Sequence, residues 1–192
     1  GKEGTKVKLG ILRDGKELSY EIERKTVEVK HVEYQKLEKN IGYINISSFE
    51  GDVSTQFEEA YDKLESQGVE SLIIDIRNNG GGIVSESLQI AEMLTDKGQT
   101  LLIESDKNGE EEIIKSEKDK TITMPVVLLI NEYSASASEI LAGILKENVE
   151  NATLIGNTTY GKGVIQTVYP LTDGSGIKIT TNEYFTPNHN TI

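Results

Sequence analysis

Three serines that alternate with alanines lie in a short stretch, residues 131–139 (NEYSASASE). The stretch follows an apolar run, 125–130, that has the length of a buried strand, and it precedes apolar residues at helical spacing. It is therefore predicted to lie where a strand turns into a helix whose first N–H groups have no partner within the helix. A hydroxyl nucleophile beside free N–H donors is half of an acyl-transfer site. Serines that cap the helix and alanines that pack are the other interpretation.

Two glycine-rich stretches also follow predicted strands. Residues 80–82 are three successive glycines, which permit backbone conformations that other residues rarely adopt. Their N–H groups can bind an oxyanion, or the stretch can be only a tight turn between a strand and a helix. Residues 156–163 (GNTTYGKG) nearly match a phosphate-binding loop, but Gly163 replaces the required Ser or Thr and the following residues alternate like a strand. A nucleotide site is therefore not expected.

A serine nucleophile needs a base, and the chain offers few candidates. The two histidines are His31, in a segment before the main domain, and His189, in a polar tail, so neither is well placed. Lys162 is the alternative, because a lysine can serve as the base for a serine when burial keeps its amine neutral. A plain surface charge is the other interpretation of this lysine.

Composition excludes several classes of protein. The formal net charge of the 192 residues is −12, which argues against a nucleic-acid partner because phosphate binding needs a basic surface. The absence of cysteine excludes a thiol nucleophile, disulfides and a cysteine zinc site. No apolar run approaches the ~18 residues of a membrane span, and the first residues (GKEGTKVK) do not read as a signal peptide.

Strands alternate with helices through the middle of the chain. Residues 71–76 (SLIIDI) are almost all apolar, which is typical of a strand buried on both faces. Apolar residues at helical spacing predict helices around 57–64 and 88–94, so βαβ units and a mostly parallel sheet are expected. Turn signals predict a charged surface hairpin near 108–120 and an antiparallel hairpin over 164–185. Further strands are predicted at 42–47, 99–105, 125–130 and 152–155.

The N-terminal residues form a separate pattern. Residues 5–24 alternate around Asp14-Gly15, which is a hairpin signal. Two strands are too few for an independent core, so this hairpin is expected to be the end of a small β domain. Residues 26–32 alternate again and are predicted to bridge into the main domain.

Taken together, the motifs resemble those of the carboxyl-terminal processing proteases, the tail-specific serine peptidases of family S41 that use a Ser–Lys dyad. DIRNNGGG, SASASEILAG and GNTTYGKGVIQ occur in the order of that family, and the tail YFTPNHNTI is similar to its Tyr-Tyr/Phe-Thr-Pro segment. The resemblance covers roughly residues 40–188. It implies an α/β fold, with a crotonase/ClpP-like protease core of βαβ units over residues 28–192. Residues 1–27 resemble the last strands of the PDZ domain that precedes this core in the family.

The resemblance also implies roles for individual residues. Ser136, the middle serine, is expected to be the nucleophile, Lys162 the base, and Gln166 a residue that assists the lysine. The N–H groups of Ala137 and Gly81 are expected to form the oxyanion hole. The spacing from Ser136 to Lys162 is one residue longer than usual in the family, and the extra residue falls near 148–151, between a helix and a strand.

The implied function is that of a serine endopeptidase that cleaves proteins near unstructured C-terminal tails, without a cofactor or metal. The resemblance places such a protein outside the cytoplasm (membrane-anchored, periplasmic or secreted), and a homo-oligomer is possible through parts that this chain lacks. The PDZ carboxylate-binding loop is also missing. The alternative is therefore a catalytically silent peptide-binding fragment in which the dyad is not assembled.

Overall fold

The computed structural model describes residues 1–27 and 29–192, and in them it has eleven β-strands and three α-helices. None of the helices in these residues is long and apolar enough to cross a membrane. The strands form sheets of two, four and five members. In chain order the elements are β1 (Lys6–Arg13), β2 (Lys16–Glu23), β3 (Val32–Lys36), β4 (Ile41–Ile46), α1 (Val53–Ser66), β5 (Ser71–Asp75), α2 (Val84–Glu92), β6 (Thr100–Asp106), β7 (Glu111–Lys115), β8 (Val126–Ile130), α3 (Ala137–Asn148), β9 (Ala152–Gly156), β10 (Val164–Pro170) and β11 (Gly176–Phe185).

The five-stranded sheet, in the order β3-β4-β5-β8-β9, is the base of the candidate site. Strands β4, β5, β8 and β9 run parallel, and β3 pairs antiparallel with β4. Helix α1 connects β4 to β5, and α3 connects β8 to β9, so the predicted βαβ units are confirmed. The carboxyl ends of the parallel strands share one edge, which is where ligands bind in open sheets of this kind.

The core lies between this sheet and the helices. In β4 every second residue is buried, which places Ile44 and Ile46 on the face that the helices cover. The residues at helical spacing in α1, among them Phe57 and Leu64, are buried as predicted. Gly68, with a φ of 74°, follows the end of this helix in the left-handed conformation that commonly ends helices.

The four-stranded antiparallel sheet, in the order β10-β11-β6-β7, joins the two predicted hairpins. Both hairpins are confirmed, but their pairing with each other was not predicted. It joins residues 182–185 of β11 to residues 103–106 of β6. This pairing brings Tyr184 into the core, where it is 1% exposed.

The N-terminal hairpin is present as a separate two-stranded sheet, β1 with β2. Asp14 and Gly15 form its turn with φ values of 51° and 73°, as expected for this residue pair. Residues 26–32 lead from this hairpin to the main domain, as predicted, and β3 begins at Val32. Val27 and Val29 remain exposed, so their alternation does not mark a buried strand face. Glu28, where we expect the second domain to begin, lies outside the described residues.

The carboxylate of Asp75 is buried at the carboxyl end of β5. It accepts hydrogen bonds from the Tyr43 hydroxyl at 2.7 Å and from Arg77 Nε and Nη2 at 2.9 and 2.6 Å. Burial alone would raise the pKa of Asp75, but the hydrogen bonds from Arg77 and Tyr43 hold this pKa below its ordinary value. Its Oδ1 atom also accepts the N–H of Arg77 at 3.0 Å, so Asp75 holds the backbone that leads from β5 into the glycine loop.

We expect part of the folding stability to be lost in acid through Asp75. A carboxyl group with a depressed pKa in the folded state contributes stability that is fully present above its unfolded pKa, ~3.9, and is lost as the pH falls through its folded pKa. Asp75→Asn should lower the free energy of unfolding by about 1–3 kcal/mol at neutral pH and flatten its decline in acid. Denaturant unfolding at several pH values measures this, with Asp62→Asn on the exposed side of α1 as the control. If the free energy of unfolding declined in acid to the same extent in both variants, this role of Asp75 would be contradicted.

Candidate active site

The predicted corner between a strand and a helix is present, with β8 ending at Ile130 and α3 beginning at Ala137. Ser136 is the residue just before α3, and its backbone has φ 56° and ψ −116°. A positive φ is uncommon for a residue with a side chain and is a form of strain that often marks functional sites. A serine held this way between a strand and a helix is the arrangement of the nucleophile in α/β-hydrolases, where it keeps the hydroxyl clear of the sheet.

The three serines of the corner have different surroundings. Ser134 and Ser138 are fully buried, and their hydroxyls donate to the carbonyls of Ile76 at 2.8 Å and Asn79 at 2.9 Å. Both hydroxyls therefore tie the corner to the end of β5. Ser136 is partly exposed. It is thus the serine of the three that a substrate can reach.

The glycine loop packs directly against this corner. Gly81 has a φ of 96°, and a Cβ atom there would lie 2.6 Å from the Ala135 carbonyl oxygen and 2.9 Å from the Ser136 Cβ atom. Only glycine fits in this position. Asn79, which is fully buried, joins the two segments, because its carbonyl accepts the N–H of Ala135 at 3.0 Å. The structure therefore brings Gly81, Ser136 and Ala137 together.

The N–H of Gly81, which was expected to be free, has a partner in the structure. It donates to Asn79 Oδ1 at 2.9 Å, since the buried amide oxygen needs a donor. A substrate oxygen would have to replace Asn79 at this donor. The N–H of Ala137 makes no protein hydrogen bond within the described residues, as expected for the first residue of a helix.

Lys162 lies in the loop between β9 and β10 and is partly buried. Its backbone is held from two sides: its N–H donates to Glu139 Oε2 at 2.9 Å, and its carbonyl accepts from the Tyr184 hydroxyl. Neither Glu139 nor Tyr184 was expected at the site from the sequence. Glu139 could have been found, because an acidic residue three positions after a candidate N-cap serine is a capping-box signal. Tyr184 has no comparable local signal.

The side chains of the expected dyad are not joined in this structure. The hydrogen bonds of Lys162 within the described residues are made by its backbone. Gln166 is exposed, and its Nε2 atom lies 3.5 Å from Thr180 Oγ1, so the expected contact of its amide with the lysine is not formed. The physical reason is the pairing of β10 with β11, which shifts register between Ile165 and Gln166 and places Gln166 opposite Thr180.

The two histidines, the other candidate bases, make contacts elsewhere in the molecule. His31 Nδ1 lies 3.5 Å from Ser47 Oγ, and His189 Nε2 lies 2.7 Å from Glu111 Oε1, so both histidines are engaged elsewhere. Within the described residues, no group of three or more His, Cys, Asp or Glu side chains could hold a metal ion. An open cavity of about 610 Å³ between α1 and the chain before β3 contains none of the expected site residues.

We expect Gly81→Ala to disrupt the corner. The added methyl group would overlap the Ala135 carbonyl and the Ser136 side chain, and alanine at a φ of 96° is itself strained. Strain of this kind costs of order 1–3 kcal/mol, so the free energy of unfolding should fall by at least that amount, with loss of any activity of Ser136. Gly80→Ala is the matched control, because a Cβ atom there meets nothing within 4 Å. Denaturant unfolding of both variants tests the prediction, which fails if they are equally stable.

Comparison with known proteins agrees with the resemblance of the motifs. Residues 40–192 match peptidase family S41. The chain is 39% identical over 187 residues to the carboxy-terminal processing protease CtpA of Bacillus subtilis, covering 97% of this chain and 40% of that protein. It is 39% identical over 194 residues to a probable CtpA-like serine protease of Staphylococcus epidermidis, covering 98% of this chain and 38% of that protein. The chain therefore spans about 40% of the length of the curated relatives it matches.

Two solved structures have folds similar to that of this chain. The photosystem II D1 C-terminal processing protease superposes with a TM-score of 0.76 at 31% identity, over 100% of this chain and 53% of that one. A lipoprotein from Streptococcus agalactiae superposes with a TM-score of 0.69 at 22% identity, over 85% of this chain and 62% of that one, which shows the fold alone. The mixed α/β architecture is thus shared with known structures.

Proposed function

The chain belongs to peptidase family S41, and from this membership we propose that it is the catalytic part of a serine endopeptidase with Ser136 as nucleophile and Lys162 as base. One observation carries the proposal. Ser136 is the accessible serine of a strained corner, with Gly81 packed against it and the Lys162 backbone tied to the same helix through Glu139. These are the parts that an acyl-transfer site needs close together.

The proposed reaction has two halves. Neutral Lys162 accepts the proton of Ser136 Oγ as this oxygen forms a bond to the carbonyl carbon of the substrate. The same proton then passes to the leaving nitrogen, the C–N bond breaks, and an acyl-enzyme remains. Lys162 next takes a proton from water, the resulting hydroxide attacks the ester, and the proton returns to Ser136 Oγ as the acid is released. This is the logic of serine catalysis with a lysine in place of histidine.

The proposed oxyanion hole consists of the N–H groups of Ala137 and Gly81. The N–H of Ala137 is already free of protein partners within the described residues, while that of Gly81 must exchange Asn79 for the substrate oxygen. Donors of this kind are worth on the order of 10²–10³ in rate. Gln166 is proposed to assist Lys162 through its amide oxygen, which requires its side chain to turn away from Thr180.

The proposed substrates are proteins with unstructured C-terminal tails. This proposal is supported by two similar proteins, CtpA of Bacillus subtilis and the D1 protease, which are both named as C-terminal processing proteases. By the same likeness we propose that residues 1–27 belong to a PDZ domain, that the protein acts outside the cytoplasm, and that it can form a homo-oligomer. The separate β1–β2 sheet has exposed apolar residues, such as Leu12 and Ile22, which further strands of a β domain would cover.

Unfolded reporter proteins that differ only in their last three residues test this function. The 192-residue chain is expected to cleave them weakly and with little preference among tails, because the carboxylate-binding loop of a PDZ domain is not in it. Mass spectrometry of the products identifies the cleaved bonds. A strong preference for apolar tails would show that the core itself reads the tail. Binding of the reporters without cleavage, in the longest form of the protein as well, would favour the silent peptide-binding alternative over the peptidase.

A further inference from the structure

We propose that Glu139 is a positioning residue that fixes the backbone of Lys162 relative to Ser136, and that Tyr184 completes this clamp from the other side of the lysine peptide. The inference rests on the proposed function, because it takes Ser136 and Lys162 as the reacting pair. It adds two residues, of which Glu139 contacts backbone N–H groups, whereas the Tyr184 hydroxyl also lies within hydrogen-bonding reach of the Ser136 side chain. Together, Glu139 and Tyr184 are called the lysine clamp below.

Glu139 receives three backbone N–H groups from two separate segments. Its Oε2 atom accepts the N–H of Ser136 at 2.8 Å and that of Lys162 at 2.9 Å. Its Oε1 atom accepts the N–H of Gly161 at 2.5 Å. A single oxygen atom is thus shared by the backbones of the proposed nucleophile and the proposed base. Any shift of one backbone relative to the other must lengthen one of these bonds.

Tyr184 holds the same peptide from β11. Its hydroxyl donates to the carbonyl of Lys162, and its N–H donates to the carbonyl of Gly163 at 3.1 Å. Its ring is 1% exposed, and burial, together with the negative charge of Glu139, raises the pKa of its hydroxyl, which keeps it a donor. Lys162 therefore has both its N–H and its carbonyl held by buried side chains.

Helix capping does not account for this arrangement. A capping glutamate needs only the N–H of the N-cap residue, which here is that of Ser136. The other two N–H groups come from a loop that lies 22 and 23 residues further along the chain. Glu139 is 2% exposed, and burying a carboxylate is costly unless it is well hydrogen-bonded. The glycines that flank Lys162 have no side chains to anchor the loop, and Tyr160 is exposed, so the clamp supplies the position that a base requires.

Glu139→Gln is the sharpest variant, because it keeps the size of the side chain. A carboxamide has one acceptor oxygen and an NH₂ group, so it cannot accept from both Gly161 and the Ser136–Lys162 pair. Tyr184→Phe keeps the buried ring and removes only the hydroxyl. The matched controls are Glu132→Gln, at an exposed residue of the loop between β8 and α3, and Tyr169→Phe, at an exposed residue of β10.

The experiment measures kcat and KM for cleavage of an unfolded reporter by the longest active form of the protein, per folded molecule as determined by circular dichroism. Misplacing a reacting group by about 1 Å can cost 10²-fold, so kcat should fall by about 10- to 100-fold in Glu139→Gln. The value of kcat should also fall in Tyr184→Phe. KM should not change, because the clamp does not touch substrate.

A merely structural role would lower the folded fraction and leave kcat per folded molecule equal to that of the controls, and this result would overturn the inference. If Glu139→Gln does not fold, Glu139→Asp, which keeps the charge but withdraws the carboxylate from the Lys162 loop, decides in the same way. A failure of the proposed function gives a different result from a failure of the clamp. If Ser136 is not the nucleophile, cleavage of the reporter survives in Ser136→Ala. Loss of activity in Ser136→Ala together with full kcat in both clamp variants would overturn only the clamp.

Discussion

Ser136→Ala is expected to abolish cleavage of an unfolded reporter protein without changing the fold. The hydroxyl that forms the acyl-enzyme is lost, whereas the corner stays in place because Ser134 and Ser138 still bond to the end of β5. Loss of a serine nucleophile removes about 10⁴-fold or more of the rate in comparable hydrolases. Reporter cleavage over days, with circular dichroism to check the fold, measures this effect.

The neighbouring serine provides the control for this substitution. Ser134→Ala removes the shorter of two hydrogen bonds to the Ile76 carbonyl and the acceptor of the Asn131 N–H, and should lower the free energy of unfolding by about 1–3 kcal/mol. Activity per folded molecule should remain. An inactive but folded Ser134→Ala variant beside an active Ser136→Ala variant would mean that the nucleophile has been assigned to the wrong serine.

Lys162→Arg is expected to be as inactive as Lys162→Ala. A base must be neutral when it takes the proton, and a free lysine, with a pKa of ~10.4, is neutral in only about 0.04% of molecules at pH 7. That fraction corresponds to about 4.6 kcal/mol of barrier, which the site must reduce. Arginine stays charged throughout the accessible pH range and cannot accept a proton. Both variants should therefore lose activity by a factor similar to that of Ser136→Ala.

A surface-charge role for Lys162 makes the opposite prediction. Arginine would then be tolerated, and alanine would be mildly harmful. Cleavage of the unfolded reporter by the parent and both variants, measured between about pH 6 and pH 10, separates the two roles. Activity is lost in both Lys162→Arg and Lys162→Ala only if Lys162 acts as a base. If Lys162→Arg remained active across this pH range, the assignment of Lys162 as the base for Ser136 would be contradicted.

Elements with a strong local period could be predicted from the sequence. The apolar spacing of α1, the apolar run of β5 and the turn pairs of the hairpins each reflect burial of one face, and burial leaves a periodic pattern. The corner at Ser136 could also be predicted, because it lies between two such elements. The alternation of residues 26–32 was less informative, since Val27 and Val29 are exposed.

Features that depend on distant parts of the chain could not be predicted. No local signal pairs β11 with β6, yet this pairing buries Tyr184 beside Lys162. The triple glycine indicated a close approach, which Gly81 makes, but the buried amide of Asn79 determines where the Gly81 N–H points. Likewise, the spacing of Gln166 from Lys162 did not reveal the irregular pairing of β10 with β11 that turns it toward Thr180.

Mapping of the serine that reacts with a fluorophosphonate probe tests the central claim most directly. The parent protein is labelled, digested and examined by mass spectrometry, with Lys162→Ala treated in parallel. We predict a covalent adduct on Ser136 in the parent and a greatly reduced adduct in Lys162→Ala, because the lysine is needed to activate the hydroxyl. An adduct on Ser134 or Ser138, or labelling of Ser136 that does not depend on Lys162, would contradict the assignment of Ser136 and Lys162 as nucleophile and base.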